Sequence, residues 1–164
     1  MPSARAIGQD LLNVPMGDMI SQMALAIAVA QRALDGCGVR QAERLSGRVV
    51  GIHGCGNVGK EVVRLLQPFG CELLVCDVVE YPEFYAQYGV TPVSFQELLA
   101  RSDVRTLHLP KTKQTLGLYT AEVLAKLRRD CGLINTCRGG IVDERALKER
   151  LKSGALVAAC SDVF

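Results

Sequence analysis

Val49-Val50-Gly51-Ile52-His53-Gly54-Cys55-Gly56-Asn57-Val58-Gly59 is the stretch that decides the fold. A short β-branched run leads directly into a complete G-x-G-x-x-G, and the residues after it, Val58–Gln67, carry a helical pattern that stops before Pro68 and Gly70. The glycines therefore stand between a strand and a helix. There they serve a tight turn, a close approach of backbone to a pyrophosphate, and close helix–strand packing. The helix start adds free N–H groups and the positive end of its dipole, both suited to phosphate. A G-x-G-x-x-G alone is weak evidence, and the flanking strand and helix give it its weight.

Outward from this turn, short β-branched runs alternate with helical patterns. Strands are expected at Val49–His53, Glu72–Asp77, Val90–Val93, Thr106–Pro110, Gly132–Thr136 and Leu156–Ser161. Helices are expected at Val58–Gln67, Phe95–Arg101, Thr120–Arg129 and Asp143–Ser153, the last capped by Asp143 and ended by Gly154. Such alternation predicts an α/β fold with a doubly wound parallel sheet, the Rossmann arrangement, whose crevice lies beyond the carboxyl ends of the strands. Upstream, Asp18 is expected to cap a long apolar helix from Met19 to about Leu34, stopped by Asp35-Gly36 and Gly38. The whole chain, 1–164, reads as a single dinucleotide-binding domain: a lead-in over 1–16, an N-terminal helix over 17–37 and a core over 48–164.

The second half of the fingerprint is an acid at the end of the second strand, which accepts hydrogen bonds from the adenosine ribose. Asp77 closes Cys71-Glu72-Leu73-Leu74-Val75-Cys76-Asp77, eighteen positions after Gly59. A carboxylate there repels a 2′-phosphate, and Val78-Val79-Glu80 offers no cation to pair with one, so NAD is expected over NADP. The same letters also fit the P-loop spacing Gly54-x-x-x-x-Gly59-Lys60, but Glu61 stands where that loop needs a hydroxyl for magnesium.

Composition narrows the class further. The 164 residues are 49% hydrophobic and 22% charged, with a mean hydropathy of +0.18, which suits a folded globular domain. Nineteen Lys+Arg against seventeen Asp+Glu give +2, without the basic clustering that nucleic-acid binding needs. Aromatic residues are 5% and Trp is absent, so base-stacking platforms are scarce. No nucleic-acid or membrane partner is expected: Met19–Leu34 is broken by Ser21, Gln22, Gln31 and Arg32 and is short for a bilayer. Seven scattered cysteines without a C-x-x-C pair read as reduced thiols in the cytoplasm, and no Cys/His spacing suits a metal. Cys55 and Cys137 stand near the expected cofactor, where a helix start could activate a thiol, although buried structural cysteine is the commoner case.

Three further segments go beyond a generic dinucleotide fold. They are Leu107-His108-Leu109-Pro110 with Thr112 and Thr115, then Leu133-Ile134-Asn135-Thr136-Cys137-Arg138-Gly139-Gly140-Ile141-Val142-Asp143-Glu144, then Ala159-Cys160-Ser161-Asp162-Val163-Phe164. With the glycine loop, they resemble the NAD-binding domain of the D-isomer-specific 2-hydroxyacid dehydrogenases over about Met16 to Phe164. The resemblance implies NAD as cofactor. It implies that Gly54, Gly56, Asn57, Val58 and Gly59 form the pyrophosphate loop and that Asp77 holds the adenosine ribose. It further implies that His108, Leu109 and Pro110 line the adenine side, that Thr136 and Cys137 lie near the nicotinamide, and that Asp162 holds its carboxamide. Arg138 would bind the carboxylate and carbonyl of a 2-oxo acid, a role suited to a planar, permanently charged fork.

The resemblance also marks what is missing. In the family a His paired with a Glu donates the proton to the carbonyl oxygen, and both lie beyond the Asp-Val-Phe segment, as does much of the substrate domain. The two histidines here, His53 and His108, match neither, so the chain alone is expected to bind NAD with little or no turnover of a 2-oxo or 2-hydroxy acid. The alternative expectation is an NAD-sensing or scaffolding module without catalysis. The apolar residues of Met19–Leu34 wrap too much of a helix for one core-facing stripe, and the resemblance implies that this helix joins a homodimer interface.

Overall fold

The computed structural model describes residues 45–163, and the lead-in, the Met19–Leu34 helix and Phe164 lie outside the described residues. Six parallel strands form one sheet: β1 (Val49–His53), β2 (Glu72–Cys76), β3 (Thr91–Pro92), β4 (Val104–Leu107), β5 (Gly132–Asn135) and β6 (Ala158–Ser161). Their order, β3-β2-β1-β4-β5-β6, reverses direction between β1 and β4, and it is at such a switch point that doubly wound sheets place their crevice. The register sets Val50 against Leu73 and Val104, and carries His53 level with Cys76 on one side and Leu107 on the other. The carboxyl ends of these strands therefore finish at one level.

Helices α1 (Asn57–Leu66), α2 (Pro82–Tyr88), α3 (Phe95–Arg101), α4 (Ala121–Ala125) and α5 (Glu144–Lys152) connect the strands, with a tight turn at Gln67–Phe69 after α1. α1 buries Gly59, Val62, Val63 and Leu66 against Val50, Ile52, Leu73 and Val75, the first core cluster. A second cluster joins Leu99, Leu107, Tyr119, Leu124, Leu127, Leu133, Ile141 and Leu156. Each fully buried aliphatic side chain of this kind contributes about 1.5–3 kcal/mol. α3 starts at a capping box: the Ser94 hydroxyl accepts from the Glu97 N–H, and Glu97 accepts from the Ser94 N–H at 3.0 Å. Asp143 caps α5 as the sequence predicts, its carboxylate accepting from the Ala146 N–H at 3.0 Å.

Several boundaries differ from the sequence reading. α2 was not expected at all: Pro82 starts it, Gly89 ends it at φ +61°, and aromatic packing of Tyr81, Phe84, Tyr85 and Tyr88 holds it. β4 runs over Val104–Leu107 and not Thr106–Pro110, so His108, Leu109 and Pro110 lie in the loop after the strand. β3 is only Thr91–Pro92, an edge strand in which Pro92 has no N–H to donate. β6 begins at Ala158, and α4 ends at Ala125, where Lys126 turns its N–H to Val123. β2 and β5 stop at Cys76 and Asn135, one residue earlier than expected.

Candidate functional site

The glycine loop crosses the carboxyl end of β1. Gly54 takes φ +98°, a conformation open to glycine, and its N–H donates to the Cys76 carbonyl at 2.9 Å. A Cβ on Gly54 would lie 2.5 Å from the His108 carbonyl oxygen, so the bare backbone lets the loop after β4 close against it. A Cβ on Gly59 would strike the Gly54 carbonyl, which is why the third glycine is needed for α1 to meet the turn. Gly56 is different: it is exposed with nothing within 4 Å of a Cβ, so that face of the loop is open to a ligand. Gly56 is also the N-cap of the ten-residue α1 and supplies no side-chain cap, leaving the first N–H groups of the helix without one. Asn57 is exposed at the helix start, while Val58 is half-buried against the first core cluster and can meet a ligand chiefly through its backbone.

Asp77 follows β2 and faces this loop. One carboxylate oxygen accepts from the Cys55 N–H, and the other from the Val79 N–H at 3.0 Å. The carboxylate thus braces the glycine turn, and its half-buried position beside the exposed Gly56 suits a ribose diol. An open glycine face, an uncapped helix start and an adjacent acid fit a dinucleotide better than a triphosphate with magnesium. The Cys55 thiol is buried in the same turn; burial, then the Asp77 charge, pushes its pKa up to about 11, so it is not an activated thiol.

Across the switch point, His108 donates its backbone N–H to the His53 carbonyl at 2.8 Å, and its Nε2 meets the Thr106 hydroxyl at 2.9 Å. Desolvation lowers its pKa to about 4. His53 is buried, with Nδ1 2.8 Å from the Tyr119 hydroxyl and its ring beside Phe95. Burial, then the charge of Arg105, lowers it to about 4 as well, against a smaller opposing effect of Asp77. Leu109 packs on the second core cluster, and the exposed Pro110 offers its carbonyl to the Thr115 hydroxyl at 2.5 Å.

After β5, Asn135 organises the loop that carries Thr136, Cys137 and Arg138. Its side-chain oxygen accepts from the Cys137 N–H at 3.3 Å and from the thiol at 3.0 Å, while its amide donates to the Arg138 carbonyl at 3.3 Å. The Asn135 backbone carbonyl accepts from the Asp162 N–H at 3.1 Å, which places the Asp162 loop beside Thr136. Arg138 is exposed and folds back to donate to the Cys137 carbonyl at 2.6 Å. Burial raises the Cys137 thiol, so this cysteine too is structural in character. Gly117 and Tyr119 donate to the Gly140 and Ile141 carbonyls at 2.8 and 3.0 Å, tying the stretch after β4 to the Arg138 loop. The structure therefore brings Asp77 to the glycine loop, and Thr136, Cys137, Arg138 and Asp162 together through Asn135. Asn135 was named in the sequence only as part of a motif; the signal for its role is a buried amide ending a strand. The Lys111 ammonium over the bare face of Gly140, 3.6 Å from where a Cβ would stand, had no signal in the sequence.

Among the described residues no group of three or more His, Cys, Asp or Glu could hold a metal ion, and no helix is long and apolar enough to cross a membrane.

A parallel sheet with a glycine turn, a braced acid and an arginine loop at one edge defines a dinucleotide-binding domain. Residues 38–164 match the family model of the D-isomer specific 2-hydroxyacid dehydrogenase NAD binding domain, and the chain belongs to that family. It is similar to a D-3-phosphoglycerate dehydrogenase of Mycobacterium leprae, 42% identical over 118 residues, covering 72% of this chain and 22% of that protein. A glyoxylate reductase of Korarchaeum cryptofilum is 38% identical over 118 residues, covering 72% of this chain and 36% of that protein. The fold overlays a solved structure that identifies the pyruvate reductase of Chlamydomonas reinhardtii, with a TM-score of 0.82 and 30% identity, over 92% of this chain and 47% of that one. The chain thus spans less than half the length of these relatives.

Proposed function

We propose that this chain is the cofactor-binding half of an oxidoreductase that interconverts a 2-hydroxy and a 2-oxo acid, and that by itself it holds NAD with little or no turnover. The observation that carries this reading is the shared edge: the glycine loop with Asp77 and the loop bearing Arg138 flank the same switch point between β1 and β4. Bound NAD supplies the hydride acceptor or, when reduced, the donor. The α1 start and the open face of Gly56 would hold its diphosphate, Asp77 its ribose, and Thr136, Cys137 and Asp162 its nicotinamide end. Arg138 would hold the acid's carboxylate through two parallel hydrogen bonds.

The low turnover follows from the histidines. His53 and His108, the two in the sequence, are both held near pKa 4 and engaged by Tyr119 and Thr106, so neither is a protonated acid at neutral pH. A reducing, cytoplasmic setting belongs to the same proposal, supported by the six described cysteines all being free. So does a homodimer formed through residues 19–34, supported by their apolar wrap. The test incubates the purified chain with NADH and, in turn, glyoxylate, pyruvate and hydroxypyruvate. NADH should bind while its absorbance stays at the background rate; oxidation above background with any of the three contradicts the proposal.

A further inference from the structure

The starts of α1 and α2 both stand at the carboxyl edge of the sheet, one after β1 and the other after β2, and a cation joins them. Lys60, whose N–H donates to the Gly56 carbonyl at 2.9 Å, lies in the first turn of α1. Its ammonium is 3.3 Å from the centre of the Tyr81 ring and 5.6 Å from that of Phe84. Tyr81 is the N-cap of α2 and ends the loop that begins at Asp77. Among the described residues Lys60 joins no ion pair, and its neighbour Glu61 is taken by Arg64. The negative face of the ring therefore holds the charge, not a carboxylate.

The ring is fixed in place. Tyr81 packs on the first core cluster and meets Tyr85 edge-on at 6.3 Å, while the Tyr85 hydroxyl donates to the Val79 carbonyl at 3.4 Å. Farther along the same pair of helices, Arg64 donates to the Tyr88 hydroxyl at 3.2 Å and Gln67 to the Tyr88 carbonyl at 3.1 Å. The loop after β2 is thus held at both ends, by Asp77 on the Cys55 N–H of the glycine turn and by Tyr81 on Lys60. Between those ends stand the exposed Val78, Val79 and Glu80, none of them a cation. A ribose on Asp77 turns its 2′-oxygen toward this loop, where a phosphate on that oxygen meets carboxylates and one ammonium already engaged.

We propose that Tyr81 is a specificity-determining residue for the cofactor: by holding Lys60 it withholds from a 2′-phosphate the one cation on the first turn of α1, and so adds to the preference for NADH that Asp77 sets. This rests on the NAD-binding reading of the same edge. The two residues act differently, Asp77 by repelling the phosphate and Tyr81 by occupying its counter-charge. Lys60 has to leave the ring before it pairs with the phosphate, so the apparent affinity for NADPH falls by the strength of the cation–π contact, about two- to fivefold at a half-exposed position.

The test is calorimetric titration of the 164-residue chain with NADH, and displacement of the bound NADH by NADPH, repeated on Tyr81→Leu, Tyr81→Phe and the double variant Tyr81→Leu with Lys60→Met. Tyr81→Leu should bind NADPH about two- to fivefold tighter than the wild type, with a smaller gain at high salt, and keep NADH within about twofold. Tyr81→Phe keeps the ring and should leave both affinities unchanged. Adding Lys60→Met should cancel the gain. Unchanged NADPH affinity in Tyr81→Leu overturns the proposal, as does a gain that survives Lys60→Met, or an equal loss for both cofactors, which means that the loop itself has shifted. Should Tyr81→Leu not fold, Tyr81→Met makes the same comparison. Failure of the wild-type chain to bind NADH overturns the underlying reading together with this one, and is told apart because the wild type is titrated before any variant.

Discussion

On the β1–β2 side of the sheet the groups at the carboxyl edge are backbone amides of a glycine turn and one carboxylate; on the β4–β5–β6 side they are side chains on loops beyond the strands. The first side is held by geometry that only glycine permits: Gly59 against the Gly54 carbonyl, and Gly54 against the His108 carbonyl. The second is held by hydrogen bonds that Asn135 makes to the Cys137 and Arg138 backbone. A backbone site can be broken only by changing the chain path, whereas a side-chain site loosens when one partner is removed. The two halves should therefore fail differently.

The largest effect is expected at Gly59. Gly59→Ala forces a methyl onto the Gly54 carbonyl and should cost about 3 kcal/mol of stability while abolishing NADH binding; chemical denaturation and titration measure both. A Gly59→Ala chain that binds NADH normally would show that the turn is not what the halves differ in.

Next comes pH, which acts on the seam between the halves, where the His108 N–H meets the His53 carbonyl. Both histidines fall from 6.5 to about 4 in the fold, so the unfolded chain takes up their protons first. Stability should be complete above about pH 6.5 and should be lost as pH falls toward 4, by about 2–3 kcal/mol after allowing for solvent screening. Thermal midpoints across that window check it, and His53→Asn should flatten the slope; a midpoint independent of pH there contradicts the buried, neutral histidines.

On the other side, Asn135→Leu leaves the Cys137 N–H and Arg138 carbonyl without their partner. It should cost about 2 kcal/mol yet leave NADH affinity within about twofold, since the proposed diphosphate site lies across the sheet. Calorimetry of both variants separates the two modes of failure.

How much of this was legible in the sequence follows the same division. Glycine spacing and the acid at the end of the second strand are readable because backbone constraints leave few residue choices, and Phe95–Arg101 appeared where its pattern placed it. β4 was read two residues late because Leu107-His108-Leu109-Pro110 looks more apolar than Val104-Arg105-Thr106-Leu107, and a charged residue argues against a buried strand. Arg105 is buried nonetheless, so propensity misplaced the strand at the residue whose burial is most costly. α2 escaped notice because seven residues with four neighbouring aromatics have no clear period; its stability comes from ring packing and from the Lys60 ammonium 3.3 Å from the Tyr81 ring. The role proposed for Arg138 comes only through resemblance, since a loop arginine has no periodic signature, and the Asn135 bonds that place its loop appear only in three dimensions.

The smallest expected change in free energy is at Asp77→Ala, which should weaken NADH about tenfold by removing the brace on the Cys55 N–H together with the proposed ribose acceptor. The same residue supplies the most direct test of the central claim, that this edge of the sheet is an NAD site selected by a carboxylate. Calorimetric titration of the wild-type chain with NADH and with NADPH should show NADH binding at least about tenfold tighter than NADPH. No binding of either, or tighter binding of NADPH, would contradict it.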